Sequence, residues 1–226
     1  MKALYFRAVK RDIPAVSVFL ALATLIASFT VAKFVSGSPL RTVRVLELRQ
    51  YGGVNNEHLA NGEWWRLLTA QFVHVTQAHM LFNVATLFLL AAAVERAAGS
   101  FRLALIWMLS GVVGTYASIR SVPPPYEIGS GASQVLMGIA AAAIIVMWRN
   151  QERPRWLKAT LIGTLVVQIA LDLVSAHYPK SGHVAGLLVG LILAVGRIHV
   201  SKMNKNGDWI KPRRIVREHT TKFVLT

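Results

Sequence analysis

Cysteine is absent from this 226-residue sequence, and charged residues are scarce. Without cysteine, the chain forms no disulfide, no thiolate nucleophile and no thiolate metal site. Charged residues make up only 15% of the sequence and hydrophobic residues 54%, which is too apolar for an ordinary soluble domain. The acidic residues number 10 against 25 basic ones. This composition predicts an integral, multi-pass membrane protein.

Apolar runs with few or no charges recur six times, and each is near or approaching the ~20 residues that cross a bilayer as a helix. The runs cover residues 13–32, 75–94, 103–119, 128–148, 159–171 and 181–196. The first is longer than the apolar region of a signal peptide and no convincing cleavage site follows, so we interpret it as a retained span. The sequence therefore predicts an all-α, six-transmembrane-helix bundle over residues 13–200, between a basic N-terminal segment (1–12) and a basic tail (201–226).

The net charge of +15 is concentrated in three segments rather than on one binding face. Basic residues precede the first apolar run, separate the fourth from the fifth, and follow the sixth. The positive-inside rule places all three segments in the cytoplasm, so both termini lie inside, as an even number of spans requires. The charge therefore indicates a lipid bilayer rather than nucleic acid as partner. In a bacterium, that bilayer is the inner cell membrane.

Four polar residues are expected at one depth near the outer surface. With the N-terminus inside, the second, fourth and sixth spans all begin at that surface. The first turns of these spans carry His79 with Asn83, then Ser133, then His183. A hydroxyl and an imidazole at matching depth are the two halves of a nucleophile and its base. Scattered packing residues rarely coincide in this way, which favours a hydrolytic site.

Ser133 is the candidate nucleophile because of the glycines before it. A lone serine in a membrane helix more often serves packing and bonds to its own helix. Gly129 and Gly131, however, allow a tight turn before the helix, which exposes the hydroxyl and leaves N–H groups at a positive helix terminus. The surrounding sequence thus favours catalysis over packing.

His183 is the candidate general base because it lies on nearly the same helix face as Gly186 and Gly190. This four-residue glycine spacing is typical of close helix packing. If the glycine face meets the fourth span, the imidazole can reach the Ser133 hydroxyl. The competing interpretation is a histidine hydrogen-bonded at the membrane boundary.

His79 and Asn83 are four residues apart and share a helix face. Either they bond neighbouring helices, or they donate to the negative charge that develops on a tetrahedral intermediate. His74, five residues before His79, is expected to point elsewhere and to brace a loop.

Asp172, near the outer end of the fifth span, also has two interpretations. It either orients a histidine as a third triad member or is a boundary acid that reaches water. His177 is a possible competing base, although it lacks a glycine-faced helix.

Together these residues resemble the rhomboid family of intramembrane serine proteases. The matching motifs are Glu63-Trp64-Trp65-Arg66, His74-x4-His79-Met80-Leu81-Phe82-Asn83, Val94-Glu95-x3-Gly99-Ser100, Gly131-Ala132-Ser133 and His183-x2-Gly186-x3-Gly190. Their order and spacing are specific as a set, although each motif alone is weak. The resemblance covers roughly residues 62–196.

The resemblance implies a six-helix core with a water-accessible site below the outer surface. It implies a Ser133–His183 catalytic dyad and an oxyanion hole formed by His79, Asn83 and the Ser133 N–H. Structural support is expected from His74, Trp65, Arg66, Gly131, Gly186 and Gly190. Family substrates are single-span membrane proteins cut near the membrane boundary, and neither a cofactor nor a metal is implied.

Two positions depart from the family pattern. The usual glycine after the nucleophile is here Gln134, and the aromatic residue that usually packs on the catalytic histidine is here Met137. We expect Met137 to leave His183 looser, and Gln134 to crowd or re-polarise the cleft. Both changes bear on rate and substrate preference more than on the reaction itself.

Two other functions compete with proteolysis. One is a rhomboid-like protein that binds membrane clients without cutting them, although such members usually lack the serine or the histidine. The other is a redox or transport protein whose metal or haem is bound by His74, His79, His177 and His183. The sequence disfavours the latter because His74 and His79 would lie on different helix faces and no carboxylate is near them in sequence.

Overall fold

The computed structural model describes residues 13–149, 154–174 and 180–195, together with the backbone of two very short strands. The predicted basic N-terminal segment, most of the basic tail and His177 lie outside the described residues. The two strands, β1 (Lys202–Met203) and β2 (Trp209–Ile210), pair antiparallel within the predicted tail.

The described core is helical. Its long helices are α1 (Ala15–Ser36), α4 (Gln77–Ala98), α5 (Ser100–Ser121), α6 (Ser133–Arg149), α7 (Arg155–Val174) and α8 (Lys180–Val195). Between α1 and α4 lie the short helices α2 (Asn56–Ala60) and α3 (Arg66–Thr69), with 3₁₀ turns at Val45–Arg49 and Ala70–Phe72. Each of the six predicted apolar runs overlaps one of these helices, in the predicted order.

Four of these helices, α1, α4, α5 and α7, are long and apolar enough to cross a membrane. Helices α6 and α8 are also apolar but have only 17 and 16 residues. The apolar run that predicts the fourth span starts at Ile128, yet the helix starts at Ser133. Residues 128–132 instead form a non-helical turn.

Helix α6 lies at the centre of the bundle, since residues 133–143 are all buried. Small residues on α6 and α8 let the two backbones approach closely. A Cβ atom on Gly186 would overlap the Gln134 carbonyl oxygen, and one on Gly190 would overlap the Gly138 backbone. These two contacts are four residues apart on both helices, so α6 and α8 run parallel. The predicted packing of the glycine face against α6 is confirmed.

Helices α4 and α5 form a hairpin, with Gly99 between them at φ +93°. The Glu95 carboxylate, only 5% exposed, holds this corner to the start of α1. It accepts hydrogen bonds from the Val16 and Ser17 backbone N–H groups at 3.1 and 2.8 Å. The Ser17 and Ser100 hydroxyls also donate to it, at 2.6 and 2.7 Å. An anion here satisfies helix N–H groups that have no intrahelical acceptor.

The segment between α1 and α4 is pinned by Arg66. Its guanidinium donates to the backbone carbonyls of Arg49 and Gly53 at 2.9 and 3.1 Å, pairs with Glu63, and stacks on Trp65. The hydrogen bond from Arg66 lowers the pKa of Glu63, which keeps the pair charged at neutral pH. The Trp65 ring itself is 54% exposed. This bracing holds Val54, the residue after Gly53, against the turn that precedes α6.

Candidate active site

The turn before Ser133 is fixed by backbone hydrogen bonds to two distant segments. Gly129 exchanges two bonds with Val54, at 2.7 and 3.1 Å, and the Gly131 N–H donates to the Ala70 carbonyl at 2.8 Å. Gly131 adopts φ +91°, a conformation that favours glycine. A Cβ on Gly129 would lie 2.7 Å from a Thr115 methyl carbon. These constraints explain why α6 begins at Ser133 rather than at Ile128.

Ser133 occupies the first position of α6, where N–H groups lack intrahelical acceptors. Its side chain is 3% exposed and lines a cavity of about 370 Å³. His79, Glu127, Gln134 and Leu171 also line this cavity. The predicted nucleophile therefore lies at a helix N-terminus beside a cavity.

His183 lies in the first turn of α8 and is 1% exposed. Because α6 and α8 run parallel with Gly186 against Gln134, His183 lies within about half a helical turn of the level of Ser133. The His183 Nδ1 atom is 2.9 Å from the carboxylate of Asp172 on α7. Of the two interpretations that the sequence leaves open for Asp172, the contact matches the histidine-orienting one.

His74 joins α1, α4 and the turn before Ser133. The Ala132 N–H, an obligate donor, lies 3.2 Å from His74 Nε2, so this nitrogen accepts and Nδ1 carries the proton. His74 Nδ1 then donates to Ser28 Oγ at 3.0 Å, and Ser28 donates to the Phe72 carbonyl at 2.8 Å. The imidazole is consequently neutral, with a fixed tautomer.

Asn83 is fully buried and is held on three sides. Its Nδ2 atom donates to His74 Nε2 at 3.2 Å and to His79 Nε2 at 3.1 Å, and its Oδ1 accepts from Gln168 Nε2 on α7 at 3.0 Å. Because His74 Nε2 must accept, the amide orientation of Asn83 is fixed as well. Both predicted oxyanion residues, His79 and Asn83, thus belong to one hydrogen-bonded unit.

The expected placement of His74 relative to His79 is wrong. His74 precedes α4 instead of extending it, and the two rings are only 6.0 Å apart. The helical-spacing argument for separate faces therefore does not apply, and both imidazoles contact Asn83. Among the described residues, no group of three His, Asp or Glu side chains is arranged to hold a metal ion.

Gln134, one of the two departures from the family pattern, is buried and contacts the predicted nucleophile, Ser133. Its Nε2 atom donates to Ser118 Oγ at 3.2 Å, since the Ser118 hydroxyl proton is used on the Gly114 carbonyl at 2.9 Å. This leaves Gln134 Oε1 to accept from Ser133 Oγ at 3.3 Å. In this arrangement, the proton of the Ser133 hydroxyl points at Gln134. Whether Gln134 crowds or re-polarises the cleft stays a prediction, and the contact through which it would act is this hydrogen bond.

Sequence reasoning overlooked Ser28, Ser118 and Gln168, which support the site from α1, α5 and α7. Gln168 carried a usable signal, because a buried amide in an apolar helix is costly unless it is paired. It also lies four residues before Asp172, on the same helix face. Serines gave no such signal, since they commonly bond to their own helix.

Comparison with known proteins gives a consistent match. A family model described as the Rhomboid domain matches residues 61–199, more than half of the chain. Rhomboid protease GluP of Bacillus subtilis is 33% identical over 145 residues, which cover 64% of this chain but only 28% of GluP. Putative rhomboid protease YdcA of the same organism is 31% identical over 140 residues, or 62% of this chain and 70% of YdcA. Human Inactive rhomboid protein 2 is 29% identical over 133 residues, or 58% of this chain and 15% of that protein.

Proposed function

This chain belongs to the rhomboid family, and on that premise we propose that it is a serine endopeptidase of the membrane. Its substrates are single-span membrane proteins, which it cuts near the outer boundary of the bilayer. All six long helices cross the membrane, both termini face the cytoplasm, and no cofactor takes part. In a bacterium the enzyme resides in the inner membrane.

The observation that carries this proposal is the placement of Ser133 and His183. Both lie in the first turns of two parallel helices whose backbones touch, and Ser133 borders a cavity of about 370 Å³. A serine is a weak nucleophile unless a base accepts its proton. A buried histidine at matching depth on the adjoining helix supplies that base.

The reaction divides into two steps on these residues. Ser133 Oγ attacks the scissile carbonyl carbon while His183 takes the hydroxyl proton, which it then gives to the leaving amine. Water, activated by the same imidazole, hydrolyses the resulting ester. The negative charge on the tetrahedral intermediates is stabilised by the Ser133 N–H with His79 and Asn83. Asn83 reaches this charge by releasing a hydrogen bond that it makes to a histidine in the resting site.

The test is cleavage of a single-span reporter by purified protein in detergent and in liposomes. Wild-type protein should cut the reporter, and Ser133→Ala should reduce kcat by at least about a thousandfold, because the nucleophile is lost. Ser36→Ala, the same change at the far end of α1, is the matched control and should retain activity. If folded Ser133→Ala keeps more than a few per cent of wild-type activity, the proposal is wrong.

A second candidate is a family member that binds membrane clients and cuts them slowly or not at all. One observation favours it: the Ser133 hydroxyl donates to Gln134, which keeps its proton away from a base. Labelling with a fluorophosphonate distinguishes the two, because only an activated serine reacts. Labelling that disappears in Ser133→Ala supports the protease. An unlabelled, folded wild type that still cross-links to the reporter supports the binding protein.

A further inference from the structure

Gln168 and Asp172 lie one turn apart on a single face of helix α7. Gln168 is fully buried, and the Asp172 side chain is only 20% exposed. Polar groups within a membrane helix are costly and are retained where they have a partner or a function. Each of these two contacts a different member of the proposed catalytic site. Gln168 donates to Asn83 Oδ1 at 3.0 Å, and Asp172 faces His183 Nδ1 at 2.9 Å.

We propose that Asp172 is a positioning residue that completes a Ser133–His183–Asp172 triad. The inference rests on the proposed protease function and extends it by one residue. An ionised carboxylate only accepts hydrogen bonds, so at 2.9 Å the proton must reside on His183 Nδ1. The lone pair of the neutral imidazole then lies on Nε2, the nitrogen opposite Asp172. The carboxylate thereby selects the tautomer that can accept a proton from serine.

The same contact stabilises the charged form of the base. When Ser133 Oγ attacks, its proton moves to His183 Nε2, the Nδ1 proton stays in place, and Asp172 remains ionised. The imidazolium then faces a carboxylate in a site that is almost closed to water, since His183 is 1% exposed. The proton on Nε2 next passes to the leaving amine. Asp172 thus acts on the transition state through His183 without touching the substrate.

Gln168 gives independent support for assigning an orienting role to this face of α7. Its amide fixes Asn83 so that Nδ2 points toward His74 and His79. If Asp172 only contacted water at the membrane boundary, nothing would require it to share a helix face with Gln168, which bonds to the site. Helix α7 therefore orients both the base and a proposed oxyanion donor.

The first experiment measures kcat and KM for reporter cleavage by Asp172→Leu, Asp172→Asn and Asp172→Glu in liposomes. Loss of the aspartate in a serine–histidine–aspartate site costs about 10⁴-fold in kcat. For Asp172→Leu we expect kcat to fall about 10²- to 10⁴-fold with KM nearly unchanged. Asp172→Asn should lose activity as well, because its amide carries no charge, and Asp172→Glu should recover part of it. Glu57→Leu, at an exposed acid paired with Arg49, is the control and should be fully active.

The Asp172→Leu variant also distinguishes a positioning role for Asp172 from a purely structural one. Leucine suits a membrane helix but leaves the buried His183 Nδ1–H without its acceptor, so the melting temperature of this variant is measured beside that of Asp172→Asn, which keeps an oxygen that can accept from this N–H. If the wild type cleaves the reporter and folded Asp172→Leu keeps kcat within about threefold, the triad is wrong while the protease function stands. If the wild type itself does not cleave, the proposed function fails first and the triad fails with it.

The second experiment reads the tautomer directly by ¹⁵N NMR of histidine-labelled protein, with the His183 signal identified by its loss in His183→Gln. The wild type should show Nδ1 protonated and Nε2 unprotonated near pH 8. Asp172→Leu should lose this preference, whereas Glu57→Leu should keep it. A wild-type His183 protonated on Nε2 would overturn the assignment whatever the cleavage assay gives.

Discussion

Asn83 and Glu95 are both buried polar residues of helix α4, yet they represent two different uses of polarity in an apolar bundle. Glu95 accepts two backbone N–H groups and two hydroxyls at the join of α1, α4 and α5. Asn83 exchanges hydrogen bonds with two imidazoles and an amide beside the cavity that holds Ser133. The two lie about 18 Å apart along one helix.

Glu95 and Asn83 differ in the chemistry that their hydrogen-bond partners can perform. At the Glu95 end, backbone donors and hydroxyls surround a carboxylate and leave it no chemistry except holding three helices together. At the Asn83 end, the partners are groups that can transfer protons or reorient, and both imidazoles line a cavity. Burial alone therefore does not distinguish a structural polar residue from a functional one. The chemical nature of the hydrogen-bond partners is what distinguishes the two.

Asn83 offers the most severe test of this comparison. We expect Asn83→Ala to lower kcat by roughly ten- to a thousandfold with little change in KM, because an oxyanion donor acts mainly in the transition state. His79→Ala should do likewise. The double variant should lose less than the product of the two single losses, because residues of one hydrogen-bonded unit are not additive. The measurement is steady-state cleavage in liposomes, with a melting curve for each variant.

Asn83→Asp is the matched control, since it keeps the shape and the oxygen that accepts from Gln168 but donates nothing. It should be as inactive as the alanine variant. If Asn83→Ala lowers only the melting temperature and leaves kcat intact, Asn83 is a helix-bridging residue like Glu95. The oxyanion hole would then have to consist of other groups.

Glu95 should show the opposite pattern. Glu95→Ala leaves two buried hydroxyls and two helix N–H groups without their acceptor, which we expect to cost about 2–4 kcal/mol of stability. Activity per folded molecule should stay near the wild-type value at low temperature. Thermal unfolding in detergent, followed in parallel with reporter cleavage, measures both quantities. A large loss of kcat without a change in melting temperature would contradict the assignment of a structural role to Glu95 and a catalytic role to Asn83.

The sequence predicts local features of this molecule better than distant pairings. The close packing of the Gly186 and Gly190 face follows from spacing along a single helix. The start of α6 could not be predicted in this way, because Gly129 pairs with Val54, far away in the sequence. The contact of Asp172 with His183 depends on how α7 is rotated in the bundle, which spacing alone leaves open. The roles proposed for the site residues depend on contacts between helices, which the sequence of each single helix does not predict.

Substitution of Gln134 is expected to have the smallest effect, because its hydrogen bond to Ser133 should slow the reaction of that hydroxyl without stabilising the fold. In the resting site Gln134 Oε1 accepts the Ser133 proton that a base must take, and the bond is long at 3.3 Å. A neutral hydrogen bond is worth about 0.5–1.5 kcal/mol, so its loss should speed fluorophosphonate labelling of Ser133 about two- to tenfold. Gln134→Met removes the carboxamide but keeps the length of the side chain. Ser118→Ala, which only frees Gln134 Nε2, should give a smaller increase. If labelling instead slows in both variants, Gln134 holds the hydroxyl in a productive position and belongs with the catalytic groups.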